Sequence, residues 1–323
     1  MHRRVALLSM LALTFAVSTA SAQGYPEKVV RIIVPYPAGG PVDVLGRALG
    51  QKLTEVWKQP VIVENRSGAN EVIGAQAVFT AKPDGYTLLL GTDPSFSQNQ
   101  FLYDKLPYDP VNGVVPIMRV ANAYMTFAVP AGLPVNTLAE FVSLAKKEPG
   151  KLNYGSGGIG NVTHLTMAWF ASRNGLEMNH VPYKGMAQTV QDLLAGQVQA
   201  AFLTVAVTEP HIKSHKLKVL AISGPKRARR LPDVPTFTEA GLEDVDASFY
   251  MALGAPAGLR DAIRDKIADD VKRVLADPEF REKYIENIAL EIVGDTPAEF
   301  AAFLIEDRKK QEQRIKQSGA KLE

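Results

Sequence analysis

The sequence predicts an exported α/β protein of two lobes, and three observations carry that expectation. Runs of β-branched residues alternate with amphipathic stretches along most of the chain, an apolar leader opens it, and two glycine-rich turns of one pattern stand far apart. Alternation of this kind is the signature of strands joined by helical crossovers, hence of parallel sheets.

The leader comes first. "MHRR" is a short basic start, "VALLSMLALTFAV" is an apolar run of signal-peptide length, and Ala20-Ser21-Ala22 offers the small residues of a cleavage site. A secretory signal peptide over residues 1–22, cut after Ala22, is expected. The run is short for a membrane span, and no later run approaches the ~20 apolar residues that a span needs. The mature chain is therefore expected in the periplasm. It carries no cysteine, and ~300 residues bury enough surface to need no disulfide.

Composition excludes several classes. With 46% hydrophobic and 22% charged residues the chain is neither disordered nor collagenous. Loss of Arg3 and Arg4 with the leader leaves 34 basic side chains against 34 acidic ones. No nucleic-acid footprint is present, and the basic run "PKRARR" at 225–230 reads as a solvated loop.

The elements of the first lobe begin at "VVRIIVPY", followed by a helix over 41–57, "VIVEN", a helix over 71–80 and "YTLLLGT". Leu45, Leu49, Leu53 and Val56 recur at helical spacing and predict one apolar face. A second series follows "PIMRVANAYMTFAVP": "LNYGS", a helix from Asn161, "NHVPYK", the helical "AQTVQDLLAG" and "VQAAFLT". "LKVLAIS", "LPDVPTFTEAG", "SFYMALGAP" and helices near 260–276 and 297–318 close the chain. Two crossings between lobes are expected, with residues 23–122 and 222–323 in lobe one and 123–221 in lobe two. The hinge should lie in "MRVANAY" and "LKVLAIS".

The two turns are "YPAGGPVD" (Tyr36 to Asp43) and "YGSGGIGN" (Tyr154 to Asn161). Each is expected to join a strand end to a helix start, with Asp43 and Asn161 as capping residues. A helix N-terminus offers unpaired N–H donors and a partial positive charge, so it can hold an anion without an arginine. The second turn also spells G-x-G-x-x-G, with Glu177 further on. A dinucleotide site is disfavoured, because the chain is exported and Glu177 sits too early, in a helix-end segment. The P-loop lysine is missing as well. Thr92 and Asp93 follow a strand end and are expected to line the cleft, although Asp93 would repel an anion. His164 is a weaker candidate, and Lys184 is expected to face solvent. Tyr183 suits a cleft wall, since a phenol has a flat face and a donor.

Motifs for catalysis are missing. There is no G-x-S-x-G around Ser67, Ser156 or Ser223, no H-E-x-x-H, and no metal-ligand spacing among the histidines. Neither a cofactor nor a metal is expected.

In this order and spacing, "PYPAGGPVD", "VIVENRSGA", "KPDGYTLLLGT", "LPYDP", "NYGSGGIGNVTHL", "VPYKGMAQTVQDLLAGQV", "LPDVPTFTEAG", "GAPAG" and "GDTPAEF" resemble the Bug, or tripartite tricarboxylate transporter, solute-binding proteins. The resemblance spans the mature chain. It implies a two-lobed periplasmic-binding-protein fold of the Venus-flytrap type II kind, a monomer that captures a small carboxylate and passes it to a permease of two membrane subunits. It also implies ligand contacts from Tyr36, Ala38, Gly39, Gly40 and Asp43 in one lobe, and from Ser156, Gly157, Ile159, Gly160 and Asn161 in the other. An exported ligand-sensing receptor and a hydrolase on a similar fold are the alternatives.

The chain departs from the family pattern at Asn70-Glu71, where a second glycine pair is usual, and at Asn161, often Ser or Thr. It departs again at Leu203-Thr204, where an acid commonly stands, and at Tyr250, often Trp. Thr204 is thus the expected ligand contact at that strand end. The missing acid, with Phe96, Tyr183 and Tyr250 as apolar walls, predicts a carboxylate ligand without an amino group.

Overall fold

The computed structural model describes residues 24–183, 185–242, 245 and 247–322. The leader and Lys184 lie outside the described residues.

Lobe one starts with β1 (Val30–Val34), α1 (Pro41–Trp57), β2 (Val61–Asn65), α2 (Val72–Phe79) and β3 (Thr87–Gly91). A π-helical turn over 94–98 and the short α3 (Asn99–Leu102) lead to β4 (Val114–Ala123). Lobe two holds β5 (Met125–Pro130), α4 (Leu138–Lys147), β6 (Asn153–Ser156), α5 (Val162–Asn174) and β7 (Asn179–Pro182). It continues with α6 (Met186–Leu194), β8 (Ala200–Thr204), α7 (Val205–Lys213) and β9 (Leu217–Ile222). The chain then returns with β10 (Phe249–Pro256), α8 (Asp261–Ala276), α9 (Pro278–Tyr284), β11 (Leu290–Ile292) and α10 (Pro297–Ser318).

Two sheets result, with strand orders β11-β4-β10-β3-β1-β2 and β7-β6-β8-β5-β9. In the first, β2, β1 and β3 are parallel and β10 joins β3 antiparallel. In the second, β7, β6 and β8 are parallel and β5 joins β8 antiparallel. The lobes therefore repeat one plan: β1 corresponds to β6, and β3 to β8. The turns after β1 and β6 are equivalent places, at the carboxyl ends of parallel strands where α/β sheets gather ligands.

The chain changes sheet at Tyr124 and again over 223–248. The run "PIMRVANAYMTFAVP", one unit by its pattern, is thus split between sheets. At the crossing the two segments pair: the Met125 amide donates to Ser223 Oγ (2.9 Å), and the Ser223 amide donates to the Met125 carbonyl (2.8 Å). Gly224, at φ 114°, leaves room for the Tyr124 ring, which a Cβ there would approach to 2.8 Å.

The apolar face of α1 runs through Leu45, Leu49 and Leu53 as expected, but continues to Trp57. Val56 fits the apolar spacing and yet is exposed; the 3.6-residue turn carries the next buried position to Trp57, whose indole N–H donates to the buried Asp270. Each such leucine contributes about 1.5–3 kcal/mol on burial. α10 begins with a reciprocal capping box between Thr296 and Glu299. Its far end reaches lobe two: Ile315 and, just past the helix, Ala320 cluster with Leu165 of α5 and with Leu102 of α3 in lobe one. No helix among the described residues is long and apolar enough to cross a membrane.

Candidate functional site

A cavity of about 800 Å³ opens between the lobes, and both glycine-rich turns line it. Lobe one contributes Tyr36, Ala38, Gly39, Gly40, Val42, Thr92 and Asp93, and lobe two contributes Gly157, Asn161 and Val162. Met186, Val190, Leu194 and Val207 of α6 and α7 add apolar lining, together with Phe249 and His211.

The two turns treat their amides differently. In the first, Gly40 is the residue before α1 and Pro41 follows it, so the Pro41 position has no N–H to satisfy. The amides of Gly40, Val42 and Asp43 find no acceptor among the described residues. Asp43 is buried and is not the capping residue expected of it. It lies in the first turn of α1 and reaches back, accepting from the Gly39 amide (2.9 Å), Arg47 Nε (3.0 Å) and Asn65 Nδ2 (2.8 Å). Burial pushes its carboxyl up, but these hydrogen bonds and the Arg47 charge outweigh that and hold it below the ordinary value. Gly39 sits at φ 87°, a conformation glycine adopts without strain.

The second turn is closed on itself. Asn161 does cap α5, accepting from the Thr163 amide (3.0 Å). Gly157 donates to Thr163 Oγ1 (2.9 Å), Gly158 to Ser156 Oγ (3.2 Å) and Gly160 to His164 Nδ1 (3.1 Å). Of the amides on residues lining the cavity here, Val162's finds no acceptor among the described residues. Gly160 faces lobe one: its carbonyl accepts from Gln98 Nε2 (2.5 Å), and a Cβ would meet Leu102 and Leu322 at 3.0 Å.

Among the other residues nominated by the sequence, Thr92 lines the cavity, whereas Ser156, Ile159, Gly160, His164, Tyr183 and Thr204 stand outside its lining. Ser156 Oγ hydrogen-bonds His180 Nε2 (2.6 Å), and the His180 ring stacks on His164 at 4.0 Å between centroids. Burial, then the neighbouring His180, lowers His164 to about 4. Ile159 is exposed, and Tyr183 donates to Asp192 (2.5 Å). Thr204, the lobe-two equivalent of Thr92, is buried at the end of β8. The aromatic walls differ from expectation too. Phe96 is fully buried in the core of lobe one, and Tyr250 is buried against Phe96 and Phe300. Packing on α10 draws both rings away from the cleft, and Tyr36 and Phe249 stand there instead.

Glu71 stands out in the sequence only as a departure from a glycine pair. Its buried carboxylate, on a residue at φ 74°, accepts from Tyr36 Oη (2.5 Å), the Thr92 amide (3.0 Å), Thr92 Oγ1 and Ser95 Oγ. It thereby fixes two cavity-lining side chains from behind. Gly91 makes the space: a Cβ there would come 3.1 Å from Glu71 Oε2. Burial raises the Glu71 carboxyl, against the pull of its hydrogen bonds. Asp93 lies beside this network. It is 4% exposed, its Oδ1 accepts from Gln311 Nε2 (3.4 Å), and its Oδ2 has no hydrogen-bond partner. Burial, then the Asp307 charge, pushes its carboxyl well above the ordinary range. No group of three metal-ligating side chains occurs among the described residues.

The family model described as "Tripartite tricarboxylate transporter family receptor" matches residues 45–320, so the chain belongs to that family of periplasmic solute-binding receptors. A UPF0065 protein of Cupriavidus necator is 34% identical over 97% of this chain and 94% of its own length. BugT of Bordetella pertussis is 30% identical over 100% of this chain and 99% of its own. Among solved structures, an R. palustris protein with adipate superposes with a TM-score of 0.85 at 29% identity, covering 92% of this chain and 100% of that one.

Proposed function

We propose that this protein captures a small organic carboxylate in the interlobe cavity and delivers it for tripartite tricarboxylate-type uptake. The observation that carries the reading is the row of unpartnered amides at Gly40, Val42 and Asp43, set on a lobe-one turn that lines a cavity between the lobes. Three donors at a helix N-terminus suit a carboxylate, which accepts several hydrogen bonds and carries the charge the helix dipole favours. The adipate held by the R. palustris relative supports the class of ligand.

In this reading Tyr36, Ala38, Gly39, Gly40 and Thr92 contact the ligand from lobe one, and Gly157, Asn161 and Val162 close over it from lobe two. Asp43 holds the first turn in shape, and Ser156, Gly160 and His164 hold the second. Residues 23–122 with 222–323, and 123–221, act as the two bodies of the flytrap, save that Ala123 pairs within the lobe-one sheet and Ile222 within the lobe-two sheet. The mature chain begins after Ala22, works as a monomer in the periplasm, and presents its closed form to a permease of two membrane subunits.

Thermal denaturation of the mature protein against mono-, di- and tricarboxylates tests it. A bound carboxylate raises the melting temperature in proportion to the logarithm of its excess over Kd. A flat response across the panel, with the protein folded, would overturn the proposal.

A further inference from the structure

We propose that Asp93 is a specificity-determining residue that receives a cationic amino group, so that the preferred ligands are amino-carboxylates; this rests on the carboxylate reading of the same cavity. The sequence alone points the other way, because the acid usual at the end of the lobe-two strand is Leu203-Thr204 here. The structure places an acid at the equivalent end of the lobe-one strand β3.

Four features of Asp93 support the assignment. It lines the cavity together with the turn whose amides would hold the carboxylate. It is 4% exposed, and its Oδ2 has no hydrogen-bond partner, a costly state for a buried carboxyl oxygen unless a ligand meets it. Glu71 before α2, Tyr250 on β10, and Asp307 and Gln311 on α10 surround it with Arg314 as an opposing charge, and it also lines a neighbouring cavity together with Arg119, Lys310 and Arg314. Finally, no lysine or arginine occurs among the described residues lining the cavity, so nothing there competes for the carboxylate.

A second carboxylate of a plain diacid would offer Oδ2 no donor and would oppose ionisation of Asp93. An ammonium would supply the hydrogen bonds that Oδ2 lacks and favour the ionised carboxyl, against the burial that raises it. Because burial raises the Asp93 carboxyl and an ammonium would lower it, any proton it holds before binding leaves to solvent as the ammonium arrives with its own three. Two modes of binding are thereby separated. If Asp93 instead stayed protonated and donated to a ligand carboxylate, no proton would leave, and an asparagine would substitute for it.

The experiment uses matched pairs: succinate and aspartate, glutarate and glutamate, adipate and 2-aminoadipate, propionate and alanine. Each is titrated calorimetrically into the mature protein and into Asp93→Asn, near pH 7, in two buffers of different ionisation heat. The expected result is tighter binding of the amino member in at least one pair, with net proton release. Asp93→Asn should weaken that member about 10- to 100-fold, abolish the proton release and leave the plain acid unchanged or tighter. Asp93→Glu, which keeps the charge, guards against a folding defect and should retain the preference for the amino member. Equal or tighter binding of the plain acid in every pair overturns this inference and leaves the carboxylate reading standing. Unchanged preference in a folded Asp93→Asn protein also overturns it. No binding of any member overturns both.

Discussion

The turn after β1 and the turn after β6 share a sequence pattern and an equivalent place in the two sheets, yet their amides have opposite fates. In the first, one carboxylate, Asp43, takes the Gly39 amide from behind and leaves those of Gly40, Val42 and Asp43 open. In the second, Ser156, Asn161, Thr163 and His164 take the amides of Gly158, Thr163, Gly157 and Gly160. A glycine-rich strand-to-helix turn is thus a frame for an anion site, and the neighbouring side chains decide whether its donors remain available. The first turn keeps three donors open, whereas the second spends most of its own on itself.

The largest expected effect that could break this contrast is on affinity. Gly39→Val places a branched side chain at φ 87°, beside the open amides, where a Cβ meets nothing within 4 Å. Strain of about 1–2 kcal/mol should leave the fold intact. Carboxylate affinity should fall about 100-fold, ~2.7 kcal/mol, by calorimetry. An unchanged Kd in the folded variant would remove the first turn from the site.

Acid should act on the second turn instead. The His164 pKa of about 4 lies below its unfolded value of 6.5, so neutral His164 contributes stability that is complete above 6.5 and lost as pH falls toward 4. Glu71, Asp93 and Asp307 have raised values and work in the opposite sense, favouring the fold at low pH and losing that as pH rises through their folded pKa. His164→Asn isolates the histidine, because its amide oxygen can still accept from Gly160 without titrating. Its melting temperature should fall less than the wild type's between pH 6.5 and 4, by the equivalent of about 1–3 kcal/mol. Parallel curves would show that His164 does not lock the turn.

Asp43→Asn should have an intermediate effect. It keeps the shape but loses the charge that holds Arg47 and the Gly39 amide, and Arg47 is half-exposed, so solvent screens the pair. Stability should drop by about 1 kcal/mol and affinity about tenfold. A loss of stability with unchanged affinity would make Asp43 a scaffold residue alone. The smallest effect is expected for Gly157→Val, whose Cβ would stand 3.4 Å from Asn161 Oδ1, an ordinary contact. A change in Kd of about threefold or less is expected, since the Gly157 amide is already occupied by Thr163 Oγ1. A loss equal to that of Gly39→Val would show the two turns to be equal partners.

Much of the fold is encoded locally. Periodicity places α1 and α10, because an amphipathic face and a start signal sit within each segment: Pro41 in one, Thr296 with Glu299 in the other. The short α9 and the three-residue β11 carry too few repeats to stand out, and the division of "PIMRVANAYMTFAVP" at Tyr124 depends on which strands flank it. Four residues of the first turn, Tyr36, Ala38, Gly39 and Gly40, are nominated by the resemblance to the family and line the cavity. Glu71 is visible as an odd residue in "NRSGANE" but not as the acceptor of Tyr36, Thr92 and Ser95, which come from other segments.

The sequence by itself determined the α/β alternation, the paired turns and the family, because each is encoded by spacing within a few residues or by the order of short motifs. Tertiary structure alone decided which turn keeps its donors, where the buried acids Glu71 and Asp93 stand, and that Phe96 and Tyr250 belong to the core. Those outcomes depend on competition among acceptors and rings brought together from distant segments, and a hydrogen bond or a buried contact is chosen only when the partners meet.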